Sequence, residues 1–132
     1  MDLKINITQK ISLSHFEEII VSALEGGSNY WYMLESPEYW NDLSGEEGEP
    51  ESTRIAKSLF ENPDFKMNVY DIEDDGEGDP LGTVTQASML GALSYAQQEY
   101  PHVYHDLMEG QGDANTADVL FQLAVMGEVV FR

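Results

Sequence analysis

The sequence predicts an α+β domain of four or five helices packed on a small, mostly antiparallel sheet. Three observations carry that prediction. Apolar residues recur at helical spacing behind capping residues, short segments alternate with the period of a strand, and glycines or prolines separate the two. With 132 residues, 42% of them hydrophobic and 11% aromatic, the chain has material for one cored domain over residues 1–132. An acidic disordered tail is excluded, because such tails are poor in aromatics and cannot offset the entropy of ordering.

Leu3, Ile5 and Ile7 alternate with Lys4, Asn6 and Thr8, as a half-buried strand does. Ser14 and Glu17 have capping-box spacing, and Phe16, Ile19, Ile20, Ala23 and Leu24 then mark one face of a helix that Gly26-Gly27 stops. The run Tyr30-Trp31-Tyr32-Met33-Leu34 reads as a buried strand or as the first turn of another helix. From Glu35 to Glu51 the chain is acidic and rich in turn residues, which predicts a long, mobile loop. Ser52 is placed to cap a helix through Phe60 that ends before Pro63.

Phe65, Met67 and Val69 predict a strand, Asp75-Gly76-Glu77-Gly78 a turn, and Leu81 to Val84 the returning strand. Thr85 caps a helix through Gln98 whose inner face is expected to hold Leu90, Leu93 and Ala96 or Gln97. Pro101 suits the first turn of a helix ending at Gly110. Asp113 caps the last helix, with Leu120, Phe121, Leu123 and Ala124 as its apolar stripe and Gly127 as its end. Glu128 to Phe131 is expected to form a short terminal strand.

Charge is the feature that points past a generic domain. Twenty-five acidic residues face six basic ones (Lys4, Lys10, Arg54, Lys57, Lys66, Arg132), for a formal net charge of -19. Such a surface repels phosphate backbones and anionic lipids and attracts basic protein grooves, above all those that hold nucleic acid. The acids concentrate in two loops, at about 35–51 and 71–79. No apolar run reaches the roughly 20 residues of a membrane helix. Met1-Asp2-Leu3-Lys4 lacks the layout of a signal peptide, so a cytoplasmic location is expected.

Motifs for chemistry are missing or incomplete. The absence of cysteine removes disulfides, thiol catalysis and thiolate metal sites. Asp71 to Asp79 invites a calcium reading, but placing Gly76 or Gly78 at position 6 puts Gly82 or Val84 where an EF-hand needs glutamate. His102, His105 and Asp106 share a helix face without completing a metal ligand set. There is no nucleophile elbow and no phosphate-cradling loop. No catalytic residue, metal or cofactor is therefore expected, and the chain reads as a non-enzyme.

Two stretches carry a resemblance. Ala23-Leu24-Glu25-Gly26-Gly27-Ser28-Asn29-Tyr30-Trp31 and Ala117-Asp118-Val119-Leu120-Phe121-Gln122-Leu123-Ala124-Val125-Met126-Gly127-Glu128-Val129-Val130-Phe131 are similar to small proteins encoded by bacteriophages and prophages. The resemblance covers both ends of the chain and not its acidic middle. It implies a phage accessory protein acting in the host cytoplasm, a class rich in inhibitors of host enzymes and defence. It carries over no active-site residue.

Charge and resemblance together lead to an acidic inhibitor or nucleic-acid mimic. Its expected partner is a basic nucleic-acid-binding host protein of the restriction or CRISPR type, with no direct contact to nucleic acid or membrane. The expected contact residues are Glu46, Glu47, Glu49, Glu51, Glu73, Asp74, Asp75 and Glu77. Trp31 and Trp40 join them, because guanidinium groups stack on rings and pair with acids. The oligomeric state is left open between monomer and homodimer. Two alternatives stand beside this. One is a small-molecule-binding module that uses the Tyr30-Trp31-Tyr32 cluster, with Arg54, Lys57 and Lys66 as the only cations for an anionic ligand. The other is an acidic domain adapted to high salt, without mimicry.

Overall fold

A computed structural model describes residues 10–34, 43–74 and 78–131. The strand expected at Leu3 to Ile7, the turn residues Asp75 to Glu77, and Tyr39 and Trp40 lie outside them. Among the described residues the architecture is α+β: five α-helices with a three-stranded antiparallel sheet.

The first helix, α1 (Leu13–Ser22), is capped by Ser12, whose Oγ accepts the His15 amide at 3.2 Å, and not by Ser14 as the spacing suggested. Ser12 is the last residue with extended backbone, so the orphan donors start two residues earlier. Phe16, Ile19 and Ile20 are buried. The helix widens into a π-helical turn over Ala23–Gly27. Gly27 passes directly beneath α5 (Ala114–Met126), where a Cβ would collide with the Ala114 carbonyl. A glycine is required there for close approach.

Of the two readings of the aromatic run, the strand is realised: β1 spans Tyr32–Leu34. It pairs with β2 (Lys66–Asp71), Tyr32 opposite Asp71 and Leu34 opposite Val69. β2 in turn pairs with β3 (Gly82–Thr85), Met67 opposite Val84. Met67, Val69 and Val84 are fully buried, the alternate positions that the period of two predicts.

Helix α2 (Glu51–Glu61) starts after Pro50 without a side-chain cap. Ser52 is not that cap: it is buried and donates to Glu25 Oε1 at 2.7 Å. Thr85 caps α3 (Gln86–Glu99) through a reciprocal box with Ser88. The buried face of α3 is Met89, Ala92, Leu93 and Ala96, whereas Leu90 is 47% exposed. The i, i+3, i+4, i+7 series starts one residue earlier than the leucines suggest. Helix α4 (Pro101–Met108) begins with its proline as expected.

Helix α5 packs against α1, α3, the π turn and β3, and Thr116, Ala117, Asp118 and Leu120 to Val125 are all buried. Its C-terminal end rests on β3, where a Cβ on Gly82 would meet the Val125 carbonyl. Asp113 caps its start by accepting the Thr116 amide, and Gly127 ends it at φ 75°. Glu128 to Phe131 does not form the expected strand. Its main chain bonds to a side chain, as described below. Among the described residues no helix is long and apolar enough to cross a membrane.

Candidate functional site

The two ends of the chain meet at one carboxylate. Asp118 sits in the second turn of α5, on the side that faces the loop after the π turn, and is 8% exposed. Burying a carboxylate is costly unless its lone pairs are filled. Four neutral donors fill them. Ser28 Oγ and Trp31 Nε1 donate to Oδ1 at 2.7 and 2.8 Å. The Tyr30 hydroxyl and Gln122 Nε2 donate to Oδ2 at 2.8 and 3.1 Å. Three of the donors come from the segment directly after Gly27, whose close approach to α5 brings them within reach.

Gln122, one turn on from Asp118, turns its amide toward the C-terminal segment. Nε2 donates to the Phe131 carbonyl at 2.9 Å, and Oε1 accepts the Val130 and Phe131 amides at 2.9 and 2.8 Å. Two donors and two lone pairs are thus all used, which also fixes which end of the amide is oxygen. The side chain does for residues 130–131 what a neighbouring strand would have done. Phe131 is thereby laid on Trp31, ring centroids 5.0 Å apart and 10° from parallel, and Phe121 closes the cluster at 5.7 Å from Trp31.

This node forms the floor of an open cleft of about 620 Å³. Asp118 and Gln122 lie at its polar end beside Tyr30 and Asn115, while Val119, Val129, Phe131 and Tyr100 supply the rest of the lining. Burial of its hydroxyl and the adjacent Asp118 carboxylate push the Tyr30 phenol up to about 12. It therefore keeps its proton and remains a donor to Asp118 across the physiological range. No family model, curated protein or solved structure matches the chain. What the site does must come from its own geometry.

The acidic stretch is built differently. Residues 43–50, in the second half of the expected acidic loop, form a hydrogen-bonded turn fastened to α2. Arg54 donates to the carbonyls of Ser44 (3.1 Å) and Leu43 (3.2 Å), and the Ser44 amide donates to Ser58 Oγ at 2.8 Å. Glu49 accepts the Glu46 amide at 2.8 Å and forms an ion pair with Lys57 at 2.7 Å. Lys57 first, then the amide, hold its carboxyl below the usual range. Gly45 and Gly48, at φ 84° and 98°, supply the left-handed backbone that the turn needs. Nearby, Leu24, Glu25, Tyr32, Glu51, Ser52 and Ile55 line a groove of about 260 Å³. Burial, then Glu51 and Glu25, raise the Tyr32 phenol to about 12, and partial burial raises the Glu51 carboxyl. Asp71 is the backbone partner of Tyr32 across the sheet.

The expected contact residues therefore separate. Glu46, Glu47 and Glu51 are exposed, as is Glu73 in the 3₁₀ turn Ile72–Asp74. Glu49 is part-exposed and pairs with Lys57 while accepting the Glu46 amide. Trp31 is no surface anchor: at 1% exposure, with its indole donating to Asp118, it belongs to the core. The Asp74 side chain, Asp75, Glu77 and Trp40 lie outside the described residues. Of the Tyr30-Trp31-Tyr32 cluster only Tyr30 lines the large cleft, while Trp31 is buried in the core and Tyr32 lines the smaller groove. Arg54 and Lys57 serve the 43–50 turn. His102 and His105 are exposed on α4, and among the described residues no group of three His, Cys, Asp or Glu is placed to hold a metal ion.

Sequence reasoning missed Asp118, Gln122 and Ser28. A signal existed: Asp118 and Gln122 stand at i and i+4 inside the apolar stripe of α5, where polar residues need partners.

Proposed function

We propose that this is a non-enzymatic acidic interaction protein, an inhibitor or nucleic-acid mimic that occupies a basic groove of a host nucleic-acid-binding or defence protein. One observation carries the reading. Glu51 lies near enough to the Tyr32 phenol to raise it, and Asp71 is the strand partner of Tyr32, so one residue of each acidic stretch neighbours Tyr32. The nearby cations Arg54 and Lys57 are turned onto the 43–50 turn and hold it in shape. A fixed array of carboxylates suits mimicry better than a disordered one, because less ordering entropy is lost on binding.

The test is capture from a bacterial lysate at low salt, elution with a salt gradient, and competition with duplex DNA. The reading expects one basic nucleic-acid enzyme at a defined salt step, displaced by DNA and lost when Glu46, Glu47, Glu51 and Glu73 are changed to Lys. Unchanged capture by that quadruple variant refutes it. A protein that unfolds at low ionic strength and captures nothing specific is instead adapted to salt.

A further inference from the structure

We propose that the cleft above Asp118 is a binding site for a small organic cation, an ammonium group carried on an apolar, preferably aromatic, body. The site is independent of the acidic turn and of any macromolecular partner.

Size comes first. About 620 Å³ lies within the range of small-molecule sites, and the lining has their usual character, apolar walls with a few convergent polar groups. Val119, Val129 and Phe131 offer the surface for an apolar body.

Charge then selects the ligand. Asp118 is the carboxylate in the lining, and among the described residues no Lys or Arg lines the cleft. Its four hydrogen bonds come from neutral groups, which fill its lone pairs without supplying a counter-charge. The protein around it carries a formal net charge of -19, which favours a cation over an anion at its surface. Among the described lining residues an anionic ligand would meet Asp118 with no cation to offset it, whereas a cation supplies the missing charge.

The rings fit the same ligand. Tyr30 and Tyr100 both line the cleft, and aromatic faces attract ammonium groups. Donation of the Tyr30 hydroxyl to Asp118 pushes electron density into that ring and strengthens the attraction. Because Asp118 is already saturated, the cation binds by charge and ring faces beside the carboxylate, without displacing its donors. The aromatic surface of Phe131 is held in place by Gln122 and Trp31, so the site is preformed.

The experiment is a titration of the full chain with 2-phenylethylammonium, its neutral counterpart 2-phenylethanol, and the anion 3-phenylpropanoate, followed by ¹H–¹⁵N NMR. The Trp31 indole N–H, bonded directly to Asp118, is the reporter. The cation is expected to bind about tenfold more tightly than the alcohol and to shift that resonance, with the anion not binding. Val119→Trp, which fills the cleft at unchanged net charge, should abolish the shift. Asn115→Trp, at an exposed position on the rim, provides the same block should the first variant fail to fold. Equal affinity for all three probes, binding of none, or cation binding that survives the block would each overturn the proposal. The last outcome would mean diffuse attraction to the net charge.

Discussion

The chain uses carboxylates in two opposite ways. At Asp118 a single acid is taken inside and surrounded by neutral donors from two parts of the chain, residues 28–31 and Gln122. At residues 46–51 several acids are kept outside, and the neighbouring cations steady the backbone that carries them. Burial makes the first arrangement strong and unaffected by ions in solution. Exposure makes the second weak individually and sensitive to salt. The interior acid organises the fold, and the exterior acids give it a sign.

The sharpest way to break that contrast is Asp118→Ala. It leaves Ser28, Trp31, Tyr30 and Gln122 without their acceptor, and should cost about 3–5 kcal/mol in urea denaturation. A loss under about 1 kcal/mol would show that the carboxylate does not organise the node. Gln122→Met keeps the volume but removes every bond to residues 130–131 and should cost about 2–3 kcal/mol. Hydrogen exchange at the Val130 and Phe131 amides should rise with it, and unchanged protection there would refute the side chain's role as a substitute strand.

Smaller effects belong to the outer region. Arg54→Met should cost about 1 kcal/mol and speed exchange at the Ser44 and Glu49 amides, leaving the Trp31 indole resonance where it was. Movement of that resonance would mean that the two regions are coupled. The smallest change is with pH. Because the Glu49 carboxyl is depressed in the folded protein, its contribution is present above the ordinary carboxylate range and is lost as pH falls through the depressed value. Protection of the Glu46 amide should fall in that acidic window, and Lys57→Ala should move the midpoint upward.

Much of the fold was legible because it follows from local rules. Thr85, Asp113, Pro101 and Gly127 act at the positions that capping and backbone chemistry assign them. Met67, Val69 and Val84 face inward as the alternation demands. Local rules failed where distant parts of the chain decide. Ser52 resembles a cap, yet its hydroxyl answers Glu25. The segment 128–131 has the composition of a strand, yet its partner is a side chain nine residues back. Trp31 reads as a surface anchor only until Asp118, 87 residues away, takes its N–H. The candidate site was the least legible part because three of the four bonds to Asp118 come from residues 28–31, which only folding brings to α5.

The two glycine contacts of α5 have a consequence for how such a chain can change over generations. Gly27 lies against Ala114 at one end of the helix and Gly82 against Val125 at the other, a rise of about 16 Å between the two carbonyls. Inserting or deleting one residue within that span would shift one seat by about 1.5 Å and turn the remainder by about 100°. Asp118 or Gln122 would then face away from its partners. Length variation should therefore be admitted in the connections, such as residues 109–113, and rejected within α5, even where single replacements of its outward residues are harmless.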